Sequence, residues 1–265
     1  PMLIISGQVR FSTTVRSTGL KLRQLGDQEY DIARVVVSMT KYAEMVIDPY
    51  EILYHLEKAF YLAVNGRPGP CWLDIPLDVQ GAIIETDKLK PYDRVEDKNE
   101  VPSKLKVSII NKVLMKIASA KRPVLFAGST VSQNELSEKF VKMAEMLNIP
   151  VVTGFNAHDC IPSAHRLFIG RPGAIGDRAG NFAVQNSDLL LVIGARLNIR
   201  QTGYANDQFA REAFKIMIDI DPVELKKRRI KPDLGIHADA TDFINKMIEV
   251  MGKYSFNKNA EWIKW

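Results

Sequence analysis

Between residues 123 and 218 the chain gathers its apolar side chains into runs too short for helices and too unbroken for half-exposed strands. Residues 124–127 (Val-Leu-Phe-Ala) and 189–193 (Leu-Leu-Leu-Val-Ile) carry no polar side chain, and 151–153 and 216–220 are apolar up to Thr153 and Asp219 near their ends. A strand apolar on both faces needs cover on both, which parallel sheets obtain from crossover helices. Such helices lie between the runs. Residues 107–118 put Ile109, Ile110, Val113, Leu114 and Ile117 on one face, and Leu136, Phe140, Met143, Ala144 and Leu147 recur at helical spacing. Ser132 and Glu135 have capping-box spacing at the head of that second helix, and Asn148-Ile-Pro150 stops it. A short strand near Ile236 and a helix over 242–251 close a doubly wound, Rossmann-like α/β domain.

The first third alternates strand and helix in the same way. Residues 3–6 read as a strand ending at Gly7, and 34–37 as a short β-branched strand. Pro49 opens a helix with Ile52, Leu56, Ala59, Phe60 and Ala63 on its apolar face, stopped at Asn65-Gly66. A strand over 71–75 follows, with Pro-Gly-Pro before it and Pro76 ending its ladder. The strand–helix–strand order implies a second parallel sheet. Between the two domains residues 83–102 are charged and hold no usable apolar face, as a linker would. A chain that opens on Pro1 and runs straight into a core strand reads as a piece cut from a longer protein.

Composition excludes several classes. Apolar residues are 46% and charged ones 25% of 265, and no apolar run reaches membrane-spanning length, so a soluble cytoplasmic protein is expected. The net charge of +5 is spread along the chain. The one dense cluster, Lys226, Lys227, Arg228, Arg229 and Lys231, lacks interleaved aromatics and reads as a solvated helix face rather than a nucleic-acid patch. Cys71 and Cys160 form no C-x-x-C motif and have no paired histidines beside them, so no metal site is expected and both read as inert buried thiols.

Ligands of open parallel sheets bind beyond the carboxyl ends of the strands. There the chain places Gly128-Ser129, then Arg196, Asn198 and Arg200, then Asp219 and Asp221, then Asp239, with Arg171-Pro-Gly173 on a neighbouring loop. Glycines and arginines suit a diphosphate, and strand-end carboxylates suit ribose or adenine. Each residue has an ordinary reading as well. Gly128 serves a plain strand–helix turn, the arginines serve as surface charge, and the aspartates serve as turn caps. No G-x-G-x-x-G and no G-x-S-x-G occurs.

Taken in order, a set of stretches resembles thiamine diphosphate-dependent enzymes of the acetolactate synthase family. They are Gly7-Gln8-Val9, Gln28-Glu29, Ser38-Met-Thr-Lys41, Arg67-Pro-Gly-Pro70 and Ile75-Pro-Leu-Asp-Val-Gln80, then Pro123-Val-Leu-Phe-Ala-Gly128, Ile149-Pro-Val-Val-Thr153, Gly170-Arg-Pro-Gly173, Asn186 to Arg196, Ile218-Asp-Ile-Asp-Pro222 and Ala238-Asp239. The resemblance covers essentially the whole chain. It implies that residues 1–82 are the second half of a pyrimidine-binding domain, 83–102 the linker, 103–252 the central domain, and 253–265 the start of a connection to a diphosphate-binding domain. It implies thiamine diphosphate and magnesium as cofactors and 2-oxo acids as substrates of a homodimeric or homotetrameric full-length enzyme. The activating glutamate and the magnesium motif fall outside the chain, so no catalytic residue and no metal ligand is assigned within it, and the isolated chain is expected to be inactive.

The family also implies roles for single residues. Gln28 matches its active-site glutamine, though Asp27 stands where an aromatic residue precedes it. Gln8 and Leu77 lie near the substrate, with Leu77 where the synthases carry lysine. A related carboligase or a ring-dione hydrolase of the same superfamily is the neighbouring reading, and a non-catalytic nucleotide- or flavin-binding module the alternative outside it. Gly128, Ser129, Arg171, Gly173, Arg196, Arg200, Asp219, Asp221 and Asp239 match flavin adenine dinucleotide contacts of the central domain. Ala127-Gly128-Ser129 replaces three glycines, from which weak or absent flavin is expected.

Overall fold

The computed structural model describes residues 1–97, 102, 104–132, 136–253 and 262. The chain divides into two compact units, Pro1–Val101 and Pro102–Trp265.

The first unit carries a three-stranded parallel sheet in the order β1-β3-β2, from β1 (Met2–Gln8), β2 (Tyr42–Met45) and β3 (Pro70–Pro76). Its helices are α1 (Val15–Thr18), α2 (Ile32–Val36), α3 (Ile52–Val64) and α4 (Leu77–Gln80). β3 lies in the middle, and its prolines sit at the two ends of the ladder, Pro70 opposite Met2 and Pro76 opposite Gln8. Neither removes a bond from the middle of the sheet. On α3 the stripe His55, Ala59, Leu62 and Ala63 is buried over Cys71 and Leu73. The Lys41 ammonium donates to the Leu62 and Asn65 carbonyls and so caps the negative end of this helix.

Two local expectations are corrected here. Residues 34–37 are not a strand: α2 takes 34–36 and Val37 follows as its C-cap, because Asp31 accepts from the Arg34 amide and caps a turn that buries Ala33 and Val36 at i and i+3. The strand of this region is β2, five residues further on. Phe60 is 64% exposed rather than on the core face, since the i, i+4, i+7 rhythm from His55 selects Leu62 instead.

Part of the expected linker is held against the first unit. Tyr92 is buried, its amide donates to Glu57 and its hydroxyl to Asp97, and Lys58 pairs with Asp97 at 2.9 Å. The same ammonium lies 5.4–5.6 Å from the ring centres of Tyr42, Tyr54 and Tyr92.

The second unit is a six-stranded, all-parallel sheet in the order β6-β5-β4-β7-β8-β9. Its strands are β4 (Pro123–Ala127), β5 (Val151–Thr153), β6 (Phe168–Gly170), β7 (Leu189–Ile193), β8 (Phe214–Asp219) and β9 (Leu234–His237), and its helices are α5 (Val107–Ser119), α6 (Leu136–Leu147), α7 (Arg178–Asn186), α8 (Ile199–Thr202) and α9 (Ala240–Lys253). The unbroken apolar runs behave as expected. Leu125, Ala127, Leu189, Leu191 and Ile193 face α5, α6 and α9, while Val124, Phe126, Leu190 and Val192 face α7 and the 195–213 segment. Trp262 joins the first of these cores, and its indole N–H donates to the Ala120 carbonyl at 3.0 Å.

The capping box expected at Ser132–Glu135 reaches residues 133–135, which lie outside the described residues. The basic cluster is not a helix face. It spans a single 3-10 turn, Glu224–Lys226, and irregular chain after it; Lys227 pairs with Glu224 and donates to the Arg196 carbonyl, and Arg229 donates to the Gly203 carbonyl at 2.6 Å. Two of its cations therefore tie down the loop after β7.

Candidate functional site

Strand order reverses between β4 and β7: the chain moves from β4 outward through β5 to β6, then returns to β7 on the other side. At such a switch point the crossover loops part and leave a crevice at the carboxyl ends of the strands. The crevice is here a cavity of about 530 Å³. Gly128 and Ser129 after β4, Gly154, Phe155 and Asn156 after β5, and Gly194 to Arg196 after β7 form its floor. The 171–177 loop, with Arg200 and Gln201 of α8, closes its side.

The floor is held by backbone. The Gly128 amide donates to the Ile193 carbonyl and the Gly154 amide to the Ala127 carbonyl, at 2.9 and 2.8 Å, so the three turns lie against one another. A Cβ on Gly128 would strike the Gly194 carbonyl and come within 2.6 Å of the Ala195 Cα. Glycine is thus required at 128 by the neighbouring turn itself, which joins the two readings the sequence left open. The wall is equally bonded. Asn181 exchanges two hydrogen bonds with the Gly173 backbone, Asp177 accepts from the Arg171 and Gly180 amides, and the Ala174 amide donates to the Arg200 carbonyl at 2.7 Å.

The charge inside the cavity is positive. Arg171 stands 5.0 Å from the Phe168 ring, and its Nε is buried with no acceptor among the described residues. A buried guanidinium N–H without a partner costs stability unless a ligand supplies one. Arg196 lies 3.9 Å from Glu224, too far for a tight pair and half exposed, and Arg200 is exposed. Ala127 does not crowd the turn, because its methyl is wholly buried in the core beneath the sheet; of the two side chains expected to narrow the phosphate turn, only Ser129 reaches the cavity. Among the described residues no group of three His, Cys, Asp or Glu could hold a metal ion. Cys160 is buried, and burial pushes its thiol up to about 12, which keeps it protonated and inert.

The cavity therefore gathers Gly128, Ser129, Arg171, Gly173, Arg196, Asn198 and Arg200 of the residues singled out in the sequence. Asp219, Asp221 and Asp239 stand outside its lining, at the ends of β8 and β9. Asp219 accepts from the Asp221 amide, Asp221 from the Val223 amide, and Asp239 from the Thr241 amide at the head of α9. Phe155, Asn156, His158, Ile175 and Gln201 line the cavity but were not singled out. The signal for the first two was present: they directly follow β5, where the strand-end rule applies as it does after β4 and β7.

Gln8, Gln28 and Leu77 belong to the first unit, at the carboxyl end of its own sheet. Gln8 ends β1, Leu77 follows β3 and is 56% exposed, and Gln28 sits on the exposed loop between α1 and α2. That loop is clamped by Glu29, whose carboxylate accepts from the Val15, Leu25 and Gly26 amides at 2.5, 2.9 and 3.1 Å. Burial acts to raise the Glu29 pKa, but the three amides outweigh it and hold the carboxyl below its ordinary value. The clamp is complete above the ordinary value near 4.5 and is lost as the pH falls through the lowered one. Hydrogen bonds to a charged group contribute about 1.5–3 kcal/mol each. Glu29→Gln is expected to speed limited proteolysis of the 18–28 segment by about tenfold or more, with the global unfolding midpoint little changed.

Comparison with known proteins follows the same division. The profile of the family described as thiamine pyrophosphate enzyme, central domain, matches residues 110–247. The acetolactate synthase large subunit of Corynebacterium glutamicum is 36% identical over 272 residues, covering 100% of this chain and 41% of that protein. The acetolactate synthase isozyme 1 large subunit of Escherichia coli K12 is 33% identical over 262 residues, covering 99% of this chain and 43% of that protein. A probable acetolactate synthase large subunit of Methanocaldococcus jannaschii is 33% identical over 238 residues, 89% of this chain and 40% of that protein. The chain thus spans about two fifths of the length of these curated relatives.

Proposed function

Since the chain belongs to the thiamine pyrophosphate enzyme family, we propose that it is part of a thiamine diphosphate-dependent carboligase or decarboxylase acting on 2-oxo acids, of the acetolactate synthase kind. The observation that carries this reading is the likeness to acetolactate synthase large subunits along the whole chain, first unit included. A free-standing nucleotide-binding module would account for the second unit alone.

Thiamine diphosphate, when bound, supplies the nucleophilic carbon and the electron sink, and the protein supplies orientation. In this reading the first unit brings Gln8, Gln28 and Leu77 toward the substrate. The exposed Leu77 offers an apolar surface where a cation would have attracted a carboxylate, which favours, as a second reading, a carboligase with another donor or a ring-dione hydrolase of the same superfamily. In the second unit, against the weak or absent flavin expected from the replaced glycines, the cavity receives the diphosphate of a flavin adenine dinucleotide, a reading supported by Ser129 being the one replacing side chain in its lining. Arg171, Arg196 and Arg200 face its charge, Gly128, Ser129 and Gly173 let the backbone approach, and Asp219, Asp221 and Asp239 accept from the ribose or adenine end. Magnesium, a homodimeric or homotetrameric full-length protein, and a cytoplasmic location complete the proposal. No helix among the described residues is long and apolar enough to cross a membrane.

The test is turnover. The full-length protein with thiamine diphosphate and magnesium is expected to consume 2-oxo acids, and the 265-residue chain alone to consume none. A full-length protein inert toward every 2-oxo acid would overturn the reading, and turnover by the isolated chain would overturn the need for the further domains.

A further inference from the structure

One buried carboxylate in the first unit pairs with no cation among the described residues. Asp74, in the middle of the central strand β3, is 0% exposed. Its Oδ1 accepts from the Ser6 hydroxyl at 2.7 Å and its Oδ2 from the Gln8 carboxamide at 3.0 Å. The Ser6 hydroxyl can give its only proton to Asp74 because it accepts from the Trp72 indole N–H at 2.8 Å. These bonds run across the β1–β3 ladder, where Ser6 stands opposite Asp74 and Gln8 opposite Pro76. Sheet register thus sets the geometry of the group.

The chain of bonds leaves Gln8 with one orientation. Its Nε2 donates both to Asp74 and to the Tyr30 carbonyl at 2.7 Å, and its Oε1 accepts from the Val9 amide at 3.0 Å. A flipped carboxamide would set an oxygen against two acceptors and a nitrogen against a donor. Both Nε2 protons are spent, so the one valence left to a ligand is a lone pair of Oε1. The bond to the Tyr30 carbonyl also ties the end of β1 to the loop that carries Gln28.

We propose that Asp74 is a positioning residue, which by accepting directly from the Gln8 carboxamide locks it so that it meets the reacting molecule as a hydrogen-bond acceptor only. The partner chemistry follows: Gln8 takes a hydroxyl or N–H of the ligand, and neither the carboxylate nor the carbonyl oxygen of a 2-oxo acid. The kinetic part rests on the function proposed above; the lock itself does not.

Two measurements separate these. In the 265-residue chain, the side-chain amide protons of Gln8 are expected to exchange with solvent at least tenfold more slowly than those of an exposed glutamine such as Gln28, and Asp74→Asn is expected to abolish the difference. Ser6→Ala, which leaves the Gln8–Asp74 contact in place, is expected to keep most of it and guards against loss of the fold. Fast exchange in the unaltered chain, or protection unchanged by Asp74→Asn, overturns the lock. In the full-length protein, Asp74→Asn and Gln8→Ala are each expected to lower kcat about tenfold with KM nearly unchanged, and the double variant to be no slower than Gln8→Ala. Multiplying effects in the double variant would show that Asp74 does not act through Gln8. Slow exchange in a full-length protein without turnover would leave the lock standing and overturn the proposed function instead.

Discussion

Gly128→Ala is expected to destabilise the second unit by about 3 kcal/mol, the upper part of the usual overpacking range. The methyl group meets backbone atoms of Gly194 and Ala195 rather than the end of a movable side chain. Both turns are anchored, Gly128 to the Ile193 carbonyl and Gly194 to the Ile218 carbonyl, so relief requires β4 and β7 to part at the switch point. Chemical denaturation followed by far-UV circular dichroism measures the loss. Gly252→Ala serves as the control: a Cβ there meets nothing within 4 Å, and an alanine in the last turn of α9 is expected to stabilise slightly. A Gly128→Ala protein as stable as the parent would mean that the two turns are not in contact.

Replacing the cavity arginines is the second large effect. Arg171→Ala removes a guanidinium whose Nε is buried without an acceptor. A charge-assisted bond from it to a ligand diphosphate contributes about 1.5–3 kcal/mol, a factor of roughly 10 to 150 in affinity. Arg171→Ala together with Arg200→Ala is expected to weaken flavin adenine dinucleotide by at least 100-fold and to reduce its salt dependence, because Arg196 alone of the three cavity arginines remains. Arg122→Ala is expected to change neither, since Arg122 lies at the opposite end of β4 and donates to the Asn186 carbonyl. Arg171→Ala relieves the unpartnered Nε but also loses the contacts with Ser163 and the Phe168 ring, so the ligand-free chain is expected to change in stability by less than about 1 kcal/mol. Equal affinity of the double variant and the parent would place the ligand elsewhere.

Much of this was legible in the residues. The runs at 124–127 and 189–193 announced strands covered on both faces, and both faces are covered. The strand-end rule found Gly128, Ser129, Arg196 and Arg200, because a parallel sheet puts those positions on one edge whatever the helices do. Strand order was not legible. Nothing local to Ala127 or Ile193 says that β4 and β7 are neighbours, and only that adjacency makes Gly128 indispensable. β2 and β6 were missed because neither is a β-branched apolar run: Tyr-Ala-Glu-Met carries a charge, and Phe-Ile-Gly ends on a glycine. At 34–37 a β-branched run proved helical, since one Asp31 cap and two buried positions outweigh a propensity difference of tenths of a kcal/mol. Asp74 reads in sequence as one polar residue in an apolar strand. Its role is visible only when β1 is laid beside β3 and Ser6 comes opposite.

The carboxyl-end cavity of the second unit is proposed to receive a dinucleotide diphosphate. Equilibrium titration of the 265-residue chain with flavin adenine dinucleotide, with adenosine diphosphate and riboflavin as competitors, addresses it directly. Saturable binding of one flavin dinucleotide per chain at roughly micromolar affinity, displaced by adenosine diphosphate and not by riboflavin, is the result expected. Absence of saturable binding, or displacement by riboflavin and not by adenosine diphosphate, would contradict it.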